Sequence, residues 1–254
     1  MRWMKGAAAA AALLVVAMVA LVGSAFVGIE GPQSGHTFSD GRVVTVLDGY
    51  VACYLVDVGG GRWVLVDACM APDGGAIRGA LAERGGTLDD VDLILLTHGH
   101  SDHVGGAPAM GETPVRALAA ELPHLEGVQG YGGPLPGLMG AVDTGIRVGT
   151  PLVDGEHVAV GNTVIEVFAV PGHTAGSAVF LAHGVLFVGD SASARSGGEL
   201  EPAPWVFSDD VQTNRASLGV LGKRLQPRAG DVAWIAPGHT TPTEGLSPLL
   251  ELGL

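Results

Sequence analysis

Val91-Asp92-Leu93-Ile94-Leu95-Leu96 runs directly into Thr97-His98-Gly99-His100-Ser101-Asp102-His103. The first part is apolar except for Asp92, the pattern of a strand buried on both faces. The second part gathers three imidazoles and a carboxylate in a loop at the end of that strand. Zinc and other borderline cations favour nitrogen and oxygen donors of this kind. In an extended loop His98 and His100 project from the same side and suit one ion. Asp102 and His103 point elsewhere if the loop turns, and suit a second. A run of solvated histidines, as in a tag, would sit at a terminus rather than between a core strand and a glycine-rich segment.

Three more candidate ligands stand in similar places. His173, Asp190 and His239 each lie just beyond an apolar run and within two residues of a glycine. Strand ends along one rim of a sheet hold ligands rigidly and leave room for a substrate. Pro-Gly-His-Thr occurs twice, at 171–174 and 237–240. His36, His124, His157 and His183 lack this context and read as ordinary surface or turn residues.

The remaining chain divides into elements on the same logic. Val51–Val58 and Trp63–Val66 flank Gly59-Gly60-Gly61 and predict a β-hairpin. Ala76–Arg84 reads as a helix closed by Gly85-Gly86. Pro114–Leu122 reads as a short helix with proline in its first turn, and Gly127–Gly145 as a loop or lid. Strands are expected at Thr163–Val170, Ser177–Leu181, Val185–Val188 and Val232–Ala236, and an amphipathic helix at Val211–Leu225. The order suggests two similar halves packed sheet on sheet with helices outside.

With these residues in view, the chain resembles the metallo-β-lactamase superfamily. His98-Gly99-His100-Ser101-Asp102-His103 is similar to the family's first motif. Pro171–Ser177 resembles the loop that carries its third histidine. Leu186-Phe187-Val188-Gly189-Asp190 resembles the strand that ends in its bridging aspartate, and Ala236-Pro237-Gly238-His239 the loop with its last histidine. Val64-Leu65-Val66-Asp67 resembles the strand ending in an aspartate that supports the site. The likeness runs from about Val43 to His239. It implies an αββα sandwich of the metallo-β-lactamase type, two packed β-sheets with helices outside. It also implies a two-metal site, zinc by expectation, with iron or manganese also suited. His98, His100 and His173 would hold one ion, Asp102, His103 and His239 the other, and Asp190 both. A metal-bound hydroxide would then attack a small ester, thioester or lactone, with Asp102 as the catalytic carboxylate. Classical β-lactamases resemble this set less well, because they lack the bridging aspartate. Iron-dependent persulfide dioxygenases and non-catalytic metal-binding relatives are the alternatives. Substrate choice is expected to lie in segments 104–150 and 191–215.

Composition narrows the partners. The chain has 254 residues with a formal charge of −13, and 47% of it is hydrophobic. That suits a large buried core, and a small-molecule substrate rather than nucleic acid, whose phosphates an acidic surface repels. Arg2 and Lys5 precede an uncharged, Ala-, Val- and Leu-rich run from Gly6 to Ile29. This predicts residues 1–25 as a signal peptide or membrane anchor, 26–41 as a linker, and 42–254 as a catalytic domain outside the cytoplasm. Membrane contact would come only through the amino-terminal segment. The two cysteines, Cys53 and Cys69, form no zinc or redox motif. If they face each other across the hairpin, an oxidising compartment permits a bridge. The reading favoured by sequence is two buried thiols packed as small apolar residues.

Overall fold

The computed structural model describes residue 23, residues 28–33 and residues 35–252. The expected signal or anchor, residues 1–25, lies outside the described residues except for Gly23. Among the described residues no helix is long and apolar enough to cross a membrane.

Two mixed six-stranded sheets pack face to face, with helices on their outer faces. The first contains, in spatial and chain order, β1 (Thr37–Phe38), β2 (Val43–Asp48), β3 (Val51–Gly59), β4 (Arg62–Val66), β5 (Val91–Leu95) and β6 (Val115–Arg116). The second contains β7 (His157–Val160), β8 (Thr163–Ala169), β9 (Ala178–Ala182) and β10 (Val185–Gly189), followed across the sheet by β13 (Trp234–Pro237) and β14 (Thr243–Glu244). A small ribbon, β11 (Ala192–Ala194) with β12 (Leu200–Pro202), lies between β10 and the last helices in the chain.

Side-chain alternation builds three cores from these strands. Tyr54, Val56, Val64, Val66, Leu93 and Leu95 point inward from the first sheet and meet Ile165, Val167, Phe180 and Phe187 of the second. The alternate residues Leu55, Leu65, Ile94 and Leu96 face outward, under Ile77 and Leu81 of the helix Gly75–Ala82. Val179, Leu181, Leu186 and Val188 likewise lie under Leu218, Leu221 and Leu225 of the helix Val211–Leu225. Both faces of the central strands are therefore apolar, which is why Val91–Leu96 reads as a continuous hydrophobic run. The long helix begins where Asp210 accepts the Gln212 and Thr213 N–H groups, and Lys223 and Arg224 favour its carboxyl end.

Strand direction positions the site. β4 and β5 are parallel, as are β10 and β13. β8 runs antiparallel to β9, and β9 antiparallel to β10, so β8 points the same way as β10. The carboxyl ends of each sheet's relevant strands thus share one rim.

Several expectations change. Pro114 is followed by β6, not by a helix. The Ile94 N–H donates to the Pro114 carbonyl and the Leu96 N–H to that of Arg116, so β5 recruits the segment to satisfy its own donors. Helical turns begin only at Ala119–Glu121 and Leu122–Leu125. β2 and β7 are not among the expected strands, although Val43-Val44-Thr45-Val46-Leu47 is a mostly β-branched run of the kind that forms one. The expected linker is tied to the domain at its end, where Phe38 is buried against Trp234 and β1 pairs with β2. Cys53 and Cys69 form a disulfide with Cα atoms 5.3 Å apart, so the free-thiol reading is overturned. They are not paired across the hairpin. Tyr54 already faces Val66, and Cys69 reaches back from the loop beyond β4, where Asp67 and Cys69 both adopt left-handed backbone.

Candidate metal centre

All seven residues singled out in the sequence meet at this rim. His98, His100, His173 and Asp190 form one group, and Asp102, His103 and His239 a second; within each group the facing nitrogen and oxygen atoms lie within 4.8 Å of one another. Asp190 touches both. Its Oδ2 is 3.7 Å from His173 Nε2 and 3.2 Å from His239 Nε2, and its Oδ1 is 3.1 Å from His103 Nε2. His98, His103 and His173 are fully enclosed, whereas Asp102 and His239 keep 20% and 26% of their side chains exposed. The centre therefore opens to solvent on the side of Asp102 and His239.

Hydrogen bonds outside the cluster fix which imidazole nitrogen faces in. Thr97 Oγ1 gives its proton to Asp67 Oδ2, so at 3.0 Å from His98 Nδ1 it accepts. Asp67 Oδ2 accepts from His103 Nδ1 at 2.8 Å. Ser208 Oγ donates to the Pro204 carbonyl and is free to accept from His173 Nδ1 at 3.1 Å. The Tyr50 carbonyl accepts from His239 Nδ1 at 3.0 Å. Four outer nitrogens are thus N–H donors, and in the neutral imidazoles the four opposite nitrogens turn lone pairs inward. His103 Nε2 and His239 Nε2 stand 3.3 Å apart, and His173 Nε2 stands 3.1 Å from His100 Nδ1. His98 Nε2 and His100 Nε2 are buried without any hydrogen-bond partner. Each such atom costs about 1–3 kcal/mol. Orphaned buried imidazole nitrogens beside a shared carboxylate are what a divalent cation satisfies, so the donor set fits metal ions.

Electrostatics divides the centre in two. Burial is the leading cause that holds His98 well below the ordinary histidine value, His100 at about 3 and His173 at about 4. These three are neutral near pH 7. Burial works the same way at His239, but the Asp190 charge and hydrogen bonds to Asp102 and Asp190 outweigh it and raise that group to about 10. His103 is likewise raised, by Asp190 and Asp67, against its burial. Without a cation, protons on these two imidazoles offset the charges of Asp67, Asp102 and Asp190.

The backbone is shaped around this cluster. Asp67, in left-handed backbone at φ 58°, accepts from the Thr97 N–H as well as from Thr97 Oγ1 and His103. A Cβ on Gly238 would come within 2.7 Å of both Asp190 Oδ1 and His103 Cε1, so only glycine lets the last loop approach. Tyr54 supports the same loop from the core, its hydroxyl donating to the Pro237 carbonyl at 2.6 Å.

Sequence reasoning missed three neighbours. Tyr50 stacks on His239 with ring centroids 5.6 Å apart. His124, expected at the surface, is buried and stacks on Tyr131 at 4.4 Å. Glu121 is fully buried and bonded to both histidine loops. An acidic residue inside an otherwise apolar stretch, Leu118–Leu122, is the signal that could have drawn attention to it. Tyr131 belongs to the expected loop or lid, and that loop is anchored. The Gly132 N–H donates to Asp209 Oδ1 and the Leu135 N–H to the Val206 carbonyl.

Comparison with known proteins agrees with this architecture. The family model described as "Metallo-beta-lactamase superfamily" matches residues 46–239. A hydroxyacylglutathione hydrolase from Enterobacter sp. (strain 638) is 35% identical over 145 residues, covering 54% of this chain and 49% of that one. Its counterpart from Photobacterium profundum is 29% identical over 168 residues, covering 66% and 53%. The chain spans about half the length of the curated relatives it matches. Among solved structures, a metallo-beta-lactamase family protein from Thermus thermophilus superposes with a TM-score of 0.62 at 24% identity, over 84% of this chain and 78% of that one. A subclass B3 metallo-beta-lactamase of Bradyrhizobium japonicum gives 0.63 at 21%, over 90% and 92%. These structural likenesses concern the fold.

Proposed function

The chain belongs to the metallo-beta-lactamase superfamily, and on that premise we propose that it is a hydrolase holding two divalent metal ions, preferably zinc, and acting on a small ester, thioester or lactone. One observation carries the reading: two groups of inward-facing donors share the Asp190 carboxylate. His98, His100 and His173 would hold one ion, Asp102, His103 and His239 the other, with Asp190 between. Ions so bound lower the pKa of water and polarise a carbonyl group.

The protein's own groups supply the rest. The Thr97, Asp67, Ser208 and Tyr50 acceptors keep four imidazoles in one tautomer and orientation, so the centre is organised before substrate arrives. Asp102 sits at the open side with its Oδ2 3.3 Å from His239 Nε2. Although burial would raise its pKa, the bond to His239 and the charge of His103 bring it below the ordinary value. It is therefore an anionic acceptor that orients a nucleophilic water's proton and passes it on. Tyr50, 60% exposed beside His239, offers an aromatic face to the acyl part of a substrate. The shared carboxylate and the hydroxyacylglutathione hydrolase relatives support ester or thioester cleavage over β-lactam opening. Export is part of the proposal: Arg2, Lys5 and the apolar run point outside the cytoplasm, and a disulfide suits an oxidising compartment.

The test is metal analysis followed by a panel of lactones, thioesters and β-lactams given to zinc-loaded protein. Two equivalents of zinc with turnover of an ester, thioester or lactone is the expected result. Turnover of β-lactams alone, or one iron with oxygen consumption on persulfides, would overturn it.

A further inference from the structure

Glu121 is a buried carboxylate with no part in the chemistry described so far. It sits where the turn Ala119–Glu121 passes into the helix Leu122–Leu125, and its side chain collects four donors. Oε1 accepts from the Gly99 N–H at 2.8 Å and from the Tyr131 hydroxyl at 2.8 Å. Oε2 accepts from Thr174 Oγ1 at 2.7 Å and from the Gly176 N–H at 3.0 Å. Gly99 lies between His98 and His100, while Thr174 follows His173 directly. One side chain thus ties together the two loops that bring all three histidines of the first group. The packing is tight on both sides: a Cβ on Gly99 would collide with the Tyr131 hydroxyl and Leu125, and one on Gly176 with Glu121 itself.

We propose that Glu121 is a positioning residue that sets the spacing of His98, His100 and His173 toward their metal ion, and that Tyr131 relays this spacing to the 127–145 loop. The proposal rests on the two-metal reading above. Four donors on two oxygens match a carboxylate's acceptor capacity, and all four partners are neutral. A carboxylate buried among neutral donors gains from a cation close by, and the adjoining histidine group is where that cation would sit. Tyr131 adds the link outward. Its hydroxyl is held by Glu121, and its ring lies edge-on to His100 with centroids 4.4 Å apart. An amide at position 121 would turn an NH₂ group against two of these donors and open the clamp on one side.

The experiment uses the full chain loaded with cobalt(II), whose visible spectrum reports ligand geometry, and zinc affinity measured by competition with a chromogenic chelator. Wild-type protein should take up two cobalt ions. Glu121→Gln should lose one of them at least ~10-fold more readily, the scale of changes behind the ligands, with a shifted spectrum for that ion. The core truncation Leu218→Ala should lower the melting temperature and leave the spectrum alone. Glu121→Gln with wild-type affinity and spectrum would overturn the proposal and spare the two-metal reading. Wild-type protein that binds no cobalt would overturn both. Should Glu121→Gln not fold, Thr174→Val and Tyr131→Phe each remove a single donor proton. Smaller shifts in the same direction are then expected, and unchanged spectra in both would equally overturn the proposal.

Discussion

At the scale of single residues, protonation separates the two halves of the centre. His98, His100 and His173 are already neutral near pH 7, whereas His103 and His239 are held in the protonated form by their carboxylates. Metal ligands must be deprotonated, so loading displaces those protons. Zinc titration of metal-free protein at pH 7, followed by calorimetry in buffers of different ionisation enthalpy, should show one binding step with little proton release and another releasing about two protons. Equal release in both steps would contradict this division. Asp190 makes a second prediction, because its charge faces both groups. Asp190→Asn should keep the fold yet weaken retention of the second ion by more than the ~10–100-fold typical of changes behind the ligands, since a neutral amide cannot offset two close cations. Metal analysis after dialysis checks it, and two tightly held ions in the variant would contradict the proposed bridging role of Asp190.

At the scale of elements, the loop after β4 shows how local signals and tertiary constraint divide the work. The hairpin of β3 and β4 was legible from two apolar runs around Gly59-Gly60-Gly61, and the helix Val211–Leu225 from its periodicity. The disulfide was not, because it joins β3 to a loop whose path depends on Asp67 and Cys69 in left-handed backbone. Closing a loop of 16 residues restricts the unfolded chain by about 3 kcal/mol. Cys53→Ser with Cys69→Ser should therefore lower the unfolding free energy read from a urea titration by about that amount, and mass spectrometry of unreduced, alkylated protein should find no free thiol. Two alkylated cysteines would refute the bridge. The β6 segment teaches the same lesson. Pro114 carries a local helix-start signal, yet the unpaired edge of β5 claims the chain after it, because unmet backbone donors cost more than weak propensity returns.

At the scale of the whole molecule, the centre links metal, pH and stability. In the metal-free protein His100 and His173 have folded pKa values of about 3 and 4, below the ~6.5 of an unfolded chain. Their contribution is complete above ~6.5 and is lost as pH falls towards 4 and 3. His239 is raised to about 10, so its contribution is complete below ~6.5 and is lost as pH rises towards 10. Metal-free protein should then melt highest near pH 6.5, and zinc should remove the alkaline decline by replacing the protons. Thermal melts from pH 4 to 10, with and without zinc, test this; two parallel profiles would reject it. Fractionation of native cells should find the domain outside the cytoplasm, and soluble full-length protein in the cytosol would reject export. The sequence alone determined the sandwich class, the long helix and the seven candidate donors, because apolar alternation and dense histidine motifs are local and survive in one dimension. Tertiary structure alone decided the Cys53–Cys69 bond, the edge strand β6, and the places of Glu121, His124, Tyr50 and Tyr131 beside the centre. Each of these depends on which loops the parallel strand ends bring to a common rim, and that juxtaposition of distant segments exists only once both sheets have packed.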